Sequence, residues 1–154
     1  MGKTVMGAVV SLDGYCLDAI ARLREAPHAI ELMFVLHLLE ALHDVQPDVR
    51  RELSRVAAFL PPNATMHVGG GLDDEFLRPL DYSPRPGGAL RTQLDPTVIT
   101  ADLDRLEQRQ QADGGWVVDF RSYSPAADLE WRGYATVEAL SILHHNGRLA
   151  SSGG

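Results

Sequence analysis

An all-α domain, arranged as an array of α/α hairpins behind one short N-terminal β-strand, is the fold predicted for these 154 residues. Three observations predict it. Apolar residues recur at helical spacing through most of residues 16–146. Proline and glycine fall between those stretches and punctuate them. Only residues 4–12 read as a substantial strand. The composition is ordinary for a globular chain, at 45% hydrophobic and 23% charged residues. One domain of this length is expected to bury roughly 68–70% of the surface its unfolded chain exposes.

The elements follow in order. Residues 4–12 are β-branched and apolar and reach Asp13-Gly14, a turn signal, so residues 1–15 read as a poorly integrated strand. Met66 to Val68 and Trp116 to Phe120 are the only other candidates for pairing with it. From Cys16 to Glu25 the pattern is helical, with Leu17, Ile20, Ala21 and Leu23, and Pro27 stops it. His28 to Asp44 is the strongest helix. Ile30, Met33, Phe34, Leu36, Leu38, Leu39 and Leu42 leave it little polar surface, so it is expected to be buried on most sides. Pro47 opens the next helix, which runs to about Leu60 with Val49, Leu53, Val56, Ala57 and Leu60 on one stripe and Arg50, Arg51 and Arg55 outside it.

Residues 61–96 hold six of the nine prolines and five of the fourteen glycines. A loop over 61–95 is too long for a simple connection, which makes it either functional or partly disordered. Asp95-Pro96 then caps and starts a helix with Val98, Ile99, Leu103 and Leu106 inward and Asp102, Arg105 and Arg109 toward water. Asp113-Gly114-Gly115 ends it, and a last helix spans about Glu130 to Asn146. Alternating apolar and one-sided helices suggest two concentric layers over residues 16–149, with 150–154 a linker-like tail.

Charge and cysteine content narrow the function. Fourteen Lys+Arg against twenty-one Asp+Glu give a net −7 without a basic cluster, so no nucleic-acid partner is expected. The single Cys16 excludes an internal disulfide and a multi-cysteine zinc site. No apolar run is long enough for a transmembrane segment and no cleavage signature follows Val5–Val10, so the expected location is cytoplasmic. No metal or cofactor is implied. Glu40-x-x-His43, with His37 one turn earlier, matches half of a di-iron helix signature but lacks the cooperating helices. Gly2-Lys3-Thr4 lacks the glycine-rich run of a phosphate loop, and His144-His145 suits a helix C-terminus.

One motif rises above composition. Leu106-x₃-Gln110-x₃-Gly114-x-Trp116, containing Gln-x-x-Asp113-Gly114-Gly115-Trp116, resembles the glutamine–tryptophan repeat of squalene–hopene cyclases and related α/α-toroid proteins of the prenyltransferase type. The resemblance implies that the chain is similar to the C-terminal part of such a toroid, with room for two or three helix pairs. It also implies that Gln110 satisfies open backbone groups at a neighbouring helix end, that Gly114-Gly115 allow a left-handed turn, and that Trp116 ties two repeats together. Arg105 stands where the repeat has an aromatic residue. The Asp-x-Asp-Asp acid of these cyclases is not matched, since Gly71 precedes Leu72-Asp73-Asp74-Glu75, and Leu77 breaks an Asp-Asp-x-x-Asp metal motif. Separately, Val5-Met-Gly-Ala-Val-Val-Ser-Leu-Asp-Gly-Tyr15 resembles the first strand of the dihydrofolate-reductase-like family that includes the riboflavin reductase domain. In that family the Ser-Leu-Asp-Gly loop borders a nicotinamide cofactor.

Half of the aromatic residues, Trp116, Phe120, Tyr123, Trp131 and Tyr134, lie within nineteen positions, with Asp119, Glu130 and Arg132 nearby. They either line an apolar ligand site or pack repeat against repeat. Asp119, Phe120, Tyr123, Glu130, Trp131 and Tyr134 with Trp116 are therefore the candidate ligand residues. The leading expectation is a non-catalytic squalene-cyclase-like domain binding an isoprenoid or another apolar small molecule. A helical interaction module with structural tryptophans is the alternative, and an NADPH-dependent reductase fragment the weaker one. An incomplete ring leaves an apolar helix face open, so self-association or a covering partner chain is expected.

Overall fold

The computed structural model describes residues 12–118 and 124–149. Six helices are described, α1 Leu12–Ala21, α2 Ala29–Leu42, α3 Pro47–Ala57, α4 Pro79–Tyr82, α5 Pro96–Gln108 and α6 Pro125–His145. A two-stranded antiparallel hairpin, β1 Met66–His67 with β2 Phe76–Leu77, pairs Met66 with Leu77 and His67 with Phe76. The fold is thus an all-α array with one small hairpin, as its apolar periodicity predicts. The expected N-terminal strand lies mostly outside the described residues. Its supposed end does not: Leu12 and the Asp13-Gly14 turn belong to α1, whose helical pairing outcompetes the turn signal.

Several helices begin or end for a local reason. His28 caps α2, its Nδ1 accepting from the Ile30 amide at 3.3 Å. That leaves Nε2 as the protonated nitrogen, which donates to the Gly69 carbonyl at 2.8 Å and ties the hairpin turn to α2. Pro47 and Pro96 occupy first-turn positions in α3 and α5, and the Asp95 carboxylate accepts from the Thr97 amide at 2.8 Å. Ser124 and Pro125 start α6 the same way, five residues before the expected Glu130. At its far end the Arg148 amide reaches the Leu143 carbonyl at 2.8 Å around Gly147, whose φ is +70°.

Two apolar clusters hold these elements together. The first joins Ile20 of α1, Leu32, Leu36 and Leu39 of α2, Val49, Leu53 and Val56 of α3, and Tyr82 and Leu90. The second joins Leu80 of α4, Ile99 and Leu103 of α5, Trp116, and Ala139 and Leu143 of α6. The short α4 belongs to both, with Leu80 in one cluster and Tyr82 in the other. Residues 61–95 are therefore not a peripheral loop. Ala64, Val68, Leu80, Tyr82 and Leu90 are all buried, because the helices alone leave apolar surface that this segment covers.

Two charged residues expected to face water hold backbone groups in place instead. Arg55 is half-buried and donates to the Ile20 and Leu23 carbonyls, both at 2.8 Å, capping the open end of α1. Asp102 is only 5% exposed. Its Oδ2 accepts from the Leu80 amide at 3.0 Å and its Oδ1 from Arg105 Nε at 2.7 Å. A buried carboxylate persists only with such partners.

Candidate functional site

A wide concavity lies between α1 and α2. Tyr15, Cys16, Ala19, Ile20 and Leu23 form one wall, Ile30, Glu31, Phe34, Val35 and Leu38 the other, and His28 joins them. Its volume is about 680 Å³. The wall arises from the composition of α2. One stripe, Leu32, Leu36 and Leu39, is committed to the core, and a second at i, i+4, i+8 spacing, Ile30, Phe34 and Leu38, is left to face α1 and solvent. Tyr15 is 67% and Phe34 63% exposed. The expectation that this helix is buried on most sides is thus corrected, because α1 has too few large side chains to cover its second face.

The chemistry of the groove is apolar. Among the described residues, Glu31 and His28 are its only titratable side chains besides the Tyr15 phenol and the Cys16 thiol, and none that lines it is Lys or Arg. The described lining offers apolar contact and no cation for a phosphate or carboxylate. The signal was present in the sequence as a helix without a polar face, but the residue spacing does not tell which of its faces lacks a neighbour.

Of the candidate ligand residues, Trp116, Glu130, Trp131 and Tyr134 are among the described residues, and Trp116 and Tyr134 border different depressions. Trp116 is 3% exposed and part of the second core cluster. Its Nε1 donates to the Leu106 carbonyl at 2.8 Å and its amide to Thr136 Oγ1 at 3.0 Å, so it clamps the end of α5 to α6. Trp131 and Tyr134 form an edge-to-face pair, centroids 5.9 Å apart, on the exposed side of α6, where Glu130 also lies. Asp119, Phe120 and Tyr123 lie outside the described residues. Gln110 Nε2 donates to the Gly114 carbonyl at 2.9 Å, within its own turn and not to another helix, because Gly114 at φ +86° brings that carbonyl back toward it. Asp113 closes the turn by accepting from the Gly115 amide at 3.2 Å and pairing with Arg132. Those contacts hold its carboxyl below the usual carboxylate range.

A polar seam runs where the two clusters meet. Asp81 accepts from the Arg78 amide at 2.6 Å, while its own carbonyl bonds His37 Nε2 at 2.9 Å. Crowding by protein atoms desolvates the Asp81 carboxyl and, with Asp102 and Glu138 nearby, pushes it up to about 6 although its residue keeps solvent contact. In the di-iron half-signature Glu40 accepts from the Leu90 amide at 3.0 Å and His43 Nδ1 lies 3.1 Å from Asp44 Oδ1, while His37 one turn earlier bonds the Asp81 carbonyl. No group of three metal-ligating side chains occurs among the described residues. Asp73 and Asp74 stand exposed in the hairpin turn, and Glu75 accepts from the Leu72 amide at 3.1 Å.

No helix among the described residues is long and apolar enough to cross a membrane. Apolar side chains are exposed on α2 and α6 alike. No protein-family model, curated protein or solved structure matches the chain.

Proposed function

We propose that this chain is a non-catalytic helical binding domain whose α1/α2 groove takes a neutral apolar molecule of the isoprenoid class. The observation that carries the reading is the groove itself, a cleft of about 680 Å³ walled by Ile20, Leu23, Ile30, Phe34 and Leu38. That volume falls within the roughly 300–1,000 Å³ range of small-molecule sites. The lack of a cationic side chain among its described lining residues, beside Glu31 and in a chain of net −7, favours an alcohol or hydrocarbon over a prenyl diphosphate. The glutamine–tryptophan resemblance supports the isoprenoid class while its own residues hold α5 to α6. The absence of an Asp-x-Asp-Asp string argues for binding without cyclisation.

Cys16 makes the test direct, because the only cysteine of the chain is half-buried on the groove wall. The rate of Cys16 modification by an aromatic disulfide reagent is measured while farnesol is titrated in. Saturable protection is expected, abolished in Phe34→Glu, whose exposed position leaves the helical fold intact. A rate unchanged by farnesol on folded protein would overturn the proposal. The reading as a helical interaction module rests on a different observation, the exposed apolar side of α6.

A further inference from the structure

We propose that the outward side of α6 is a self-association surface, on which a second copy of this chain docks antiparallel, α6 against α6. The helix is 21 residues long, about 31 Å at 1.5 Å per residue. Its inner side is committed, with Ala139 and Leu143 buried and Ala135 and Ile142 packed against the same cluster. Its outer side carries Tyr134 at 57%, Val137 at 69% and Leu140 at 38% exposure. Glu130, Tyr134, Val137, Ser141 and His144 are all exposed and follow the alternating four- and three-residue steps of a coiled-coil seam.

The surface along this seam already has the shape of a receptor. Tyr134, Val137, Glu138 and Ser141 stand at i, i+3, i+4 and i+7, the four corners of a hole for a side chain of a facing helix. With Pro84, Arg85, Ile142 and His145 they border a depression of about 270 Å³. Gly133, one step from the seam, has nothing within 4 Å of where a Cβ would stand, so close approach meets no obstacle there.

Self-complementarity argues for a second copy over an unrelated partner. A two-fold axis through Val137 sets Val137 of the second copy over the hole. It also sets Tyr134 opposite Leu140 and Glu130 opposite His144, each pair occurring twice. Aromatic meets aliphatic, and a carboxylate acceptor meets an imidazole donor. A parallel pairing would instead set Glu130 against Glu130. The contact uses one helix per copy and falls below the roughly 1,200 Å² of stable interfaces, so the dimer is weak. It is independent of the α1/α2 groove and stands or falls without any ligand.

Sedimentation equilibrium of the full chain, from about 10 μM to 1 mM, tests the association. The mass is expected to rise from 16.8 kDa toward twice that value. Val137→Glu should weaken association at least tenfold with an unchanged helical spectrum. His144→Glu should weaken it too, and adding Glu130→His should restore it. In a Cys16→Ser background, Val137→Cys should cross-link readily on oxidation, because residue 137 faces itself, and Arg50→Cys on α3 should not. A single-chain mass throughout would overturn the proposal. So would association that survives Val137→Glu but is lost in Phe34→Glu, which would put the contact on the groove.

Discussion

Replacing Tyr82 by phenylalanine should make this protein more stable, the reverse of the usual result for a buried tyrosine. Tyr82 has no exposed surface and sits in the first core cluster with Leu32, Leu36, Leu39 and Leu53. Its hydroxyl is buried with no hydrogen-bond partner among the described residues. Burial also holds the phenol's pKa far above its ordinary value. An unmet hydroxyl of this kind costs about 1–3 kcal/mol relative to its hydrated state in the unfolded chain. Removing one oxygen leaves a void of order 10–15 Å³, which at about 24 cal/mol per Å³ offsets roughly 0.3 kcal/mol of that gain. The net expectation for Tyr82→Phe is a gain of about 1 kcal/mol, or about 2–4 °C in Tm for a chain of this size. Urea unfolding followed by far-UV circular dichroism measures it, with the midpoint moving up and the slope unchanged. A Tyr82→Phe variant less stable than the parent would mean that the hydroxyl has a partner and that the orphan-group reasoning is wrong.

Two further perturbations probe the junction and the groove wall. Asp81 has a folded pKa of about 6 against an unfolded 3.8, so between those values the folded chain holds a proton that the unfolded chain has released. Stability should therefore fall as pH rises from 4 to 6, and this slope should flatten in Asp81→Asn, as read from Tm against pH. Arg55→Gln should remove the guanidinium from the Ile20 and Leu23 carbonyls and cost about 1 kcal/mol, with fraying confined to the end of α1. Amide exchange over residues 17–21 should quicken, and a result in which all helices loosen equally would refute the local-cap assignment.

Sequence reasoning located what short-range chemistry specifies. Asp95-Pro96 starts α5 and Gly114 makes the left-handed turn after it, because caps and positive φ act within a few residues. The same signals were legible at Ser124-Pro125 and outweigh the apolar pattern that put the start of α6 at Glu130. Pro27 does not set the end of α1, which runs Leu12–Ala21 instead of Cys16–Glu25 and stops six residues before it, where Arg55 holds the Ile20 and Leu23 carbonyls. Met66 to Val68 was legible as a short strand, but its partner Phe76–Leu77 is too short for alternation to show, and the register depends on pairing across the turn of residues 68–75.

What the sequence by itself determined is the helical class, the starts of α2, α3 and α5, the end of α6, an apolar excess in residues 28–44 and the turn around Gly114 and Trp116. Tertiary structure alone decided which apolar faces find a neighbour. Asp102 lies within the inward arc of α5, one turn from Ile99, and its charge argued for solvent. The Leu80 amide, 22 residues away, and the Arg105 guanidinium together make its burial tolerable. Likewise Leu32 and Phe34 are both apolar and two residues apart in α2, yet one is wholly buried and the other 63% exposed. Hydrophobicity is a property of each side chain, whereas burial depends on what the rest of the chain brings to that side of the helix.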